Sequence, residues 1–234
     1  MIQRIPTGVT GFDNLIQGGW PKGSTVLVSG APGTGKSIFC MNALYNNSLK
    51  GKKCLYISFE QTAEDIKEQM KQFGWTKVNN HLTILSVGAD DLALADTIVK
   101  AVKKEKPDMV VVDSVASIFG STPQSGKSFG MKQISEMVYP SVVDESTITR
   151  SLIRSIILGV RATGATSFFI SEIMKDSPTY SRDTISEFLC DGIIMLSAYN
   201  ALDTRKLEIA KLRNTKHTLK QQTFKITSKG IAIE

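Results

Sequence analysis

Short apolar runs alternate with stretches of helical periodicity along most of the chain. The runs STVLVS at 24–29, CLYISF at 54–59, LTILS at 82–86, MVVVDS at 109–114 and ATSFFIS at 165–171 predict strands. Between them the pattern predicts helices from about Lys36, from Thr62, from about Asp91 and from Ser146. Runs that are apolar throughout belong to strands covered on both faces, so the expected fold is α/β, a mainly parallel central sheet flanked by helices. Local chemistry agrees with the boundaries. TAED at 62–65 places a hydroxyl at an N-cap with a carboxylate three residues on, and Ile66, Met70 and Phe73 give that helix one apolar side. Pro107 and Asp108 end the Lys-rich helix before MVVVDS.

After Cys190 the pattern changes. DGIIML, RKLEIAKL, QTFKIT and GIAIE are strand-like runs without helices between them, which predicts a C-terminal antiparallel β extension. Residues 115–145 form the irregular stretch, with Gly, Ser and Pro crowded into SIFGSTPQSGKSFG; a connection of this length is usually functional or mobile. The 234 residues suffice for one substantial core, and a single domain over 1–234 is expected.

Composition changes this picture little. A formal charge of +6 suits a polyanionic partner, but the excess is spread along the sequence. Cys40, Cys54 and Cys190 are far apart in apolar surroundings, with no C-x-x-C pair and no signal-peptide pattern, which points to buried thiols in a reducing, cytoplasmic setting. No apolar run approaches the roughly 20 residues needed to cross a bilayer, so no membrane partner is expected.

The strongest chemical signal is GAPGTGKS at 30–37, placed between a predicted strand and a predicted helix. In this G-x-x-x-x-G-K-S pattern Gly30, Gly33 and Gly35 let the backbone curl around phosphate oxygens. Ala31, Pro32 and Thr34 complete the loop, and the helix that carries Lys36, Ser37 and Ile38 adds the positive end of its dipole. Lys36 is expected on the β- and γ-phosphates of ATP and Ser37 on Mg²⁺. A look-alike, GSTPQSGKS at 120–128, has five residues rather than four between its glycines and no strand leading into it, and is rejected. MVVVDS delivers Asp113 to the C-terminal edge of the sheet, where it can hold the Mg²⁺ hydration shell. Many related sites place a Glu directly after that Asp; here Ser114 follows. The strand end CLYISFEQ supplies Glu60 instead, a carboxylate that can orient or deprotonate water.

Together, IPTGVTGFDNLIQGGWPKGSTVLVSGAPGTGKS, FEQTAEDI, VVVDS, ISEFLCDGIIML and KLRNTKHTLKQQTFKITSKGIAI resemble the KaiC-type ATPases of the RecA superfamily, above all their single-domain archaeal and bacterial members. The resemblance spans nearly the whole chain. It implies an ATPase that assembles as a homo-oligomer, usually a hexameric ring, with ATP between neighbouring subunits. The family's catalytic acid falls on Glu60, while its frequent second Glu is Gln61 here. The family's K-x-R pair is matched by Lys211 and Arg213 and implies a reach to the γ-phosphate of the adjacent subunit. Residues two apart on a strand point to the same side, so both cations can converge on one anion. The residues alone leave open whether that anion is the chain's own nucleotide, or whether the basic strand simply discourages edge pairing. His217, Thr227 and Ser228 fall where the family brings a neighbour's chain to the base and ribose.

Three functional readings remain in play on sequence grounds. The first is the Mg²⁺-dependent ring ATPase, with a protein partner on which hydrolysis acts. The second is a recombinase paralogue similar to RadA, contacting single-stranded DNA through 115–145 and 172–187, where Lys127, Lys132, Lys175 and Arg182 offer phosphate contacts but only Phe129 and Tyr180 offer stacking. The third is a nucleotide-gated scaffold in which Gln61 makes hydrolysis slow. In the double-domain clock relatives one half carries Ser and Thr phosphoacceptors; this chain has Glu187 and Phe188 at those positions, with Thr184 and Ser186 nearby.

Overall fold

A computed structural model describes residues 2–77, 80–88, 93–120, 145–174 and 177–234. In chain order its strands are β1 (Arg4–Ile5), β2 (Trp20–Pro21), β3 (Thr25–Gly30), β4 (Cys54–Ser58), β5 (Leu82–Ser86), β6 (Met109–Asp113), β7 (Thr166–Glu172), β8 (Gly192–Tyr199), β9 (Thr204–Leu212), β10 (Gln222–Thr227) and β11 (Gly230–Ile233). β1 and β2 form a small antiparallel pair. The other nine build one sheet in the order β11-β10-β9-β8-β3-β7-β6-β4-β5. From β8 to β5 every pairing is parallel, and from β8 to β11 every pairing is antiparallel. The α/β class and the C-terminal antiparallel extension are therefore as the sequence predicts.

The apolar runs are strands because both of their faces are covered. Along β6, Met109 and Val111 enter one core while Val110 and Val112 enter the other; along β7, Phe168 and Ile170 oppose Phe169. The first core lies under α1 (Lys36–Ser48) and α2 (Ala63–Gln72), and includes a cluster of Phe12, Trp20, Phe39 and Phe168. The second lies under α3 (Leu94–Glu105) and α4 (Glu145–Arg161), through Ile98, Val102, Ile153 and Ile157. The cap of α2 is the reciprocal one that TAED predicts: Thr62 Oγ1 accepts from Asp65 N at 3.1 Å, and Asp65 Oδ2 accepts from Thr62 N at 3.3 Å. α3 ends at a left-handed Lys106 before Pro107, and α4 starts one residue before Ser146. The expected start of α3 at Asp91 lies outside the described residues.

Some elements were not legible as periodicity. α5 (Ser186–Leu189) is a single turn before β8, and the β8–β9 ladder is irregular between Ile193 and Ile194. Val115–Gly120 forms a 3-10 helix at the start of the stretch expected to be irregular. The remainder of that stretch, with Lys127, Phe129, Lys132 and the rejected look-alike beyond Gly120, lies outside the described residues. All three cysteines are buried and unpaired by disulfide. Among the described residues no helix is long and apolar enough to cross a membrane.

The C-terminal hairpin is tied to α1 through one buried amide. Asn42 Oδ1 accepts from Ile231 N at 2.7 Å, and Asn42 Nδ2 donates to Gly8 O at 3.3 Å. Asn42→Ala would leave the Ile231 N–H buried without an acceptor, a loss of about 1–3 kcal/mol. Each 1 kcal/mol moves the melting midpoint by roughly 2–4 °C in a chain of this size, so a thermal melt of this variant reports directly on the docking of the hairpin.

Candidate functional site

Parallel strands all end at one edge, and the register brings four chemically useful ends together there. Gly30 is level with Glu172, and Ser58 with Asp113. At the end of β3 the chain leaves the sheet through Gly30, where φ is 153° and an added Cβ would lie 2.2 Å from the Leu196 carbonyl oxygen of β8. Gly30 is therefore required by the neighbouring strand as well as by the loop. Gly33, with φ 77° and open space beside it, faces the mouth of the site.

Lys36 opens α1 and is 5% exposed. Its Nζ donates to Ala31 O at 3.0 Å and pairs with Glu172 Oε1 at 3.2 Å. Gly33, Gly35, Lys36, Ser37, Ile38, Glu60 and Asp113 all line one open cavity of about 240 Å³, together with Gln61, Gln69, Ser114 and Glu172. Gly30, Ala31, Pro32 and Thr34 line the groove on the other side of the loop, where Met174 and Leu202 are exposed. The residues expected from GAPGTGKS, CLYISFEQ and MVVVDS thus converge.

The two carboxylates occupy different surroundings. Asp113 is buried and accepts hydrogen bonds from the hydroxyls of Tyr56 and Ser37. Burial raises its pKa above the ordinary value, opposed by those two hydrogen bonds and by Lys36. Glu60 is exposed, and its Oε1 accepts from Ser114 Oγ at 2.8 Å and from Ser117 Oγ. Ser114, the residue standing where many related sites have a Glu, is therefore what orients the Glu of the next strand. Ser58 Oγ accepts from the backbone N–H of Glu60 and of Gln61, which fixes the turn that carries them. Among the described residues no three His, Cys, Asp or Glu side chains converge into a metal cage. The adjacent Ser37 hydroxyl and Asp113 carboxylate are a hard oxygen pair of the kind that suits Mg²⁺, which takes few protein ligands alongside water and phosphate.

Lys211 and Arg213 lie elsewhere. Lys211 is the penultimate residue of β9 and Arg213 directly follows that strand; β9 runs against β8, so both sit at the edge where the parallel strands begin. Lys211 Nζ donates to Glu187 O at 3.1 Å and Cys190 O at 2.6 Å, and Arg213 Nη1 meets Asp191 Oδ1 at 3.3 Å. Asp191 is hydrogen-bonded to Thr25, the first residue of β3. Gly30 lies five positions along β3 from Thr25, about 16 Å at the rise of a strand. The cations and the phosphate loop of one chain are held at opposite ends of the sheet.

Thr227 and Ser228 are exposed at the turn between β10 and β11, with Thr227 Oγ1 donating to Gly230 O at 2.9 Å and accepting from Lys229 N at 3.2 Å. The resemblance has this turn reaching a neighbour's nucleotide; the structure packs its hairpin on the same chain's α1, with Ile226 against Gly35. His217 lies in the loop between β9 and β10, its Nδ1 3.2 Å from Thr218 O. Ser186 is fully buried, with its hydroxyl on Asp183 Oδ2 at 2.7 Å, and Thr184 has a positive φ of 60°. Of the expected nucleic-acid contacts, Lys175 is outside the described residues. Glu172, Tyr56 and Asp191 were not singled out from the sequence. The signal for Glu172 was present: it is a carboxylate at the end of a buried strand, as Asp113 is.

A family model described as ATPase: KaiC matches residues 5–139 and 136–234. All of this chain aligns with 94% of a UPF0273 protein of Pyrococcus furiosus, at 30% identity over 237 residues. It is also 30% identical over 252 residues to the circadian clock oscillator protein KaiC of Synechococcus elongatus, where 99% of this chain matches 44% of that protein. Among solved structures, a KaiC-like protein of Pyrococcus horikoshii OT3 superposes with a TM-score of 0.82 at 26% identity, over the whole of both chains.

The two loop glycines should respond differently to a methyl group. Gly30→Ala drives a Cβ into the β8 backbone, so a loss of about 2–4 kcal/mol is expected together with at least tenfold weaker ATP binding. Gly33→Ala meets no atom and bears only the left-handed backbone cost of roughly 1–2 kcal/mol. Thermal melts and ATP-binding isotherms of the pair provide the comparison.

Proposed function

The chain belongs to the KaiC ATPase family, and on that premise we propose that it is a Mg²⁺-dependent ATPase with nucleotide sites completed across the subunit boundaries of a homo-oligomeric ring, a hexamer, in which each chain contributes one RecA-like domain. The observation that carries the proposal is the separation of Lys211 and Arg213 from their own phosphate loop by the length of β3. Cations fixed at the far edge can meet a γ-phosphate only when that edge abuts the loop of another copy. The two edges are also of opposite character, with Glu60, Asp113 and Glu172 on one and Arg161, Lys211 and Arg213 on the other.

In this reading the segment Gly30–Ile38 holds the phosphates of ATP, and Lys36 exchanges Glu172 and the Ala31 carbonyl for phosphate oxygens. Ser37 and Asp113 would hold Mg²⁺, which would supply neutralisation of phosphate charge when bound. Glu60, fixed by Ser114 and Ser117, accepts a proton from water as the water oxygen bonds to the γ-phosphorus and the bond to the β-phosphate oxygen breaks, giving ADP and phosphate. Arg213 and Lys211 of the next copy stabilise the charge spread over the transferring oxygens, a contribution of about 10³–10⁵ in rate in other systems. Hydrogen bonds from the hydroxyls of Tyr56 and Ser37 keep the Asp113 carboxylate in place before nucleotide arrives.

Glu60→Gln should retain ATP binding while turnover falls by at least about 10², the low end of what a positioned base contributes. Unchanged phosphate release by that variant would remove Glu60 from the reaction.

Assembly is tested by complementation. Lys36→Ala chains lack a working loop but keep their cations, and Arg213→Ala chains have the reverse. Each alone should be nearly inactive, and their mixture should regain activity as Lys36→Ala chains place Arg213 beside intact loops. Light scattering with and without Mg-ATP gives the subunit number. A mixture as inactive as its components, or a verified monomer with full activity at high dilution, would overturn the reading.

A further inference from the structure

Among the described residues, Asp191 is the carboxylate that pairs with both Arg161 and Arg213. Its Oδ1 receives Arg161 Nη2 at 2.9 Å and Arg213 Nη1 at 3.3 Å, and its Oδ2 accepts from Thr25 N at 3.1 Å. The backbone repeats the connection: Asp191 N donates to Thr25 O at 2.7 Å, and Arg213 N donates to Asp191 O at 2.9 Å. Asp191 is only 14% exposed, whereas Arg213 is 53% exposed. One arm of the guanidinium is therefore fixed by a part-buried acceptor, while much of a fork with five N–H donors still faces outward for an anion. Arg4 fixes the chain just beyond, with Nη2 on Asn214 O at 3.1 Å and Nη1 on Thr215 Oγ1 at 3.1 Å.

We propose that Asp191 is a positioning residue for the trans-acting pair, holding Arg213 in register with the first residue of β3 so that the guanidinium is preorganised for the phosphate bound by the neighbouring copy. The inference rests on the trans reading above. Two guanidiniums, Arg161 and Arg213, share this carboxylate, while Lys211 Nζ is held beside them by the Glu187 and Cys190 carbonyls; the nearby Glu187 carboxylate is engaged with Tyr180 N at 2.6 Å and Ser181 Oγ at 3.3 Å. Burial and the charge of Arg213 lower the pKa of Lys211, as crowding of cations at this edge should. Without the carboxylate, Arg161 repels Arg213, and the fork must be re-ordered at each turnover. Preorganised charge acts where charge develops in the transition state, so its loss should appear in kcat rather than in ATP affinity.

A structural role is the rival account, because Asp191 also anchors β3, which leads into the chain's own phosphate loop. The two roles differ in which subunit suffers. Asp191→Asn keeps the size and an acceptor for Thr25 N while removing the charge. Alone, it should lower kcat by about tenfold or more with the KM for ATP within about threefold. Mixed with excess Lys36→Ala chains, its intact loops receive Arg213 from a neighbour whose Asp191 is unaltered, and activity per intact loop should recover to the level reached by Arg213→Ala in the same mixture. A wild-type kcat for Asp191→Asn overturns the proposal, as does recovery of Arg213→Ala without recovery of Asp191→Asn. If Arg213→Ala itself does not recover, the trans reading fails and this inference goes with it. Should the amide variant not assemble, Asp191→Ser, which removes the charge and leaves a hydroxyl acceptor for Thr25 N, is read in the same mixture with the same expected and overturning outcomes.

Discussion

The parallel pairing of β3 with β7 and of β4 with β6 is the constraint on which the rest depends. Parallel strands deliver all of their C-terminal ends to one edge, so the phosphate loop, Glu60, Asp113 and Glu172 meet without any long connection having to find them. Parallel strands must also be covered on both faces, which is why the two apolar cores exist and why the strand ends are stiff enough to hold side chains in place. Adding the antiparallel strands from β9 onward reverses the direction of the chain, and the end of β9 therefore exports its basic residues to the opposite edge.

A molecule with phosphate-binding and acidic groups at one edge and cations at the other is suited to head-to-tail contact with its own copy rather than to a two-fold contact of like edges. Contacts of that kind are heterologous, and they close into rings when the rotation between copies closes. In the proposed function this geometry makes the oligomer part of the chemistry, since the transition-state charge is met from two chains.

The fold was read from the sequence because its signals are local. Strands such as MVVVD are apolar on both faces, TAED caps its helix through neighbours three residues apart, and Lys106 with Pro107 stops the helix where proline must. The phosphate loop was legible for the same reason. What escaped reading depends on register between distant segments. Glu172 matters because β7 is level with Gly30, Tyr56 because β4 lies beside Asp113, and Asp191 because three residues far apart in sequence, Thr25, Arg161 and Arg213, converge on it. The side on which Lys211 and Arg213 lie was likewise undetermined until the direction of β9 against β8 was known. The turn of Thr227 and Ser228 is a further case, since its hairpin docks through Asn42 on a helix almost two hundred residues earlier.

The substitution of Ser for Glu after Asp113 shows how register can replace a motif. A base directly after Asp113 would hang from the same strand end as that Asp. Here Ser58 and Asp113 are level, so the two residues after Ser58 turn out over Ser114. The carboxylate can then come from β4, with β6 supplying only the hydroxyls of Ser114 and Ser117 that hold it. This divides the two carboxylates between unlike environments: Asp113 is buried under Tyr56 and Ser37, where burial favours its protonated form, and Glu60 stands exposed at the mouth of the cavity. In the proposed function, these unlike surroundings allow the two neighbouring acids to take different parts in one reaction. In the proposed function, the serine that follows Asp113 helps, with Ser117, to hold in place an acid supplied by the adjacent strand.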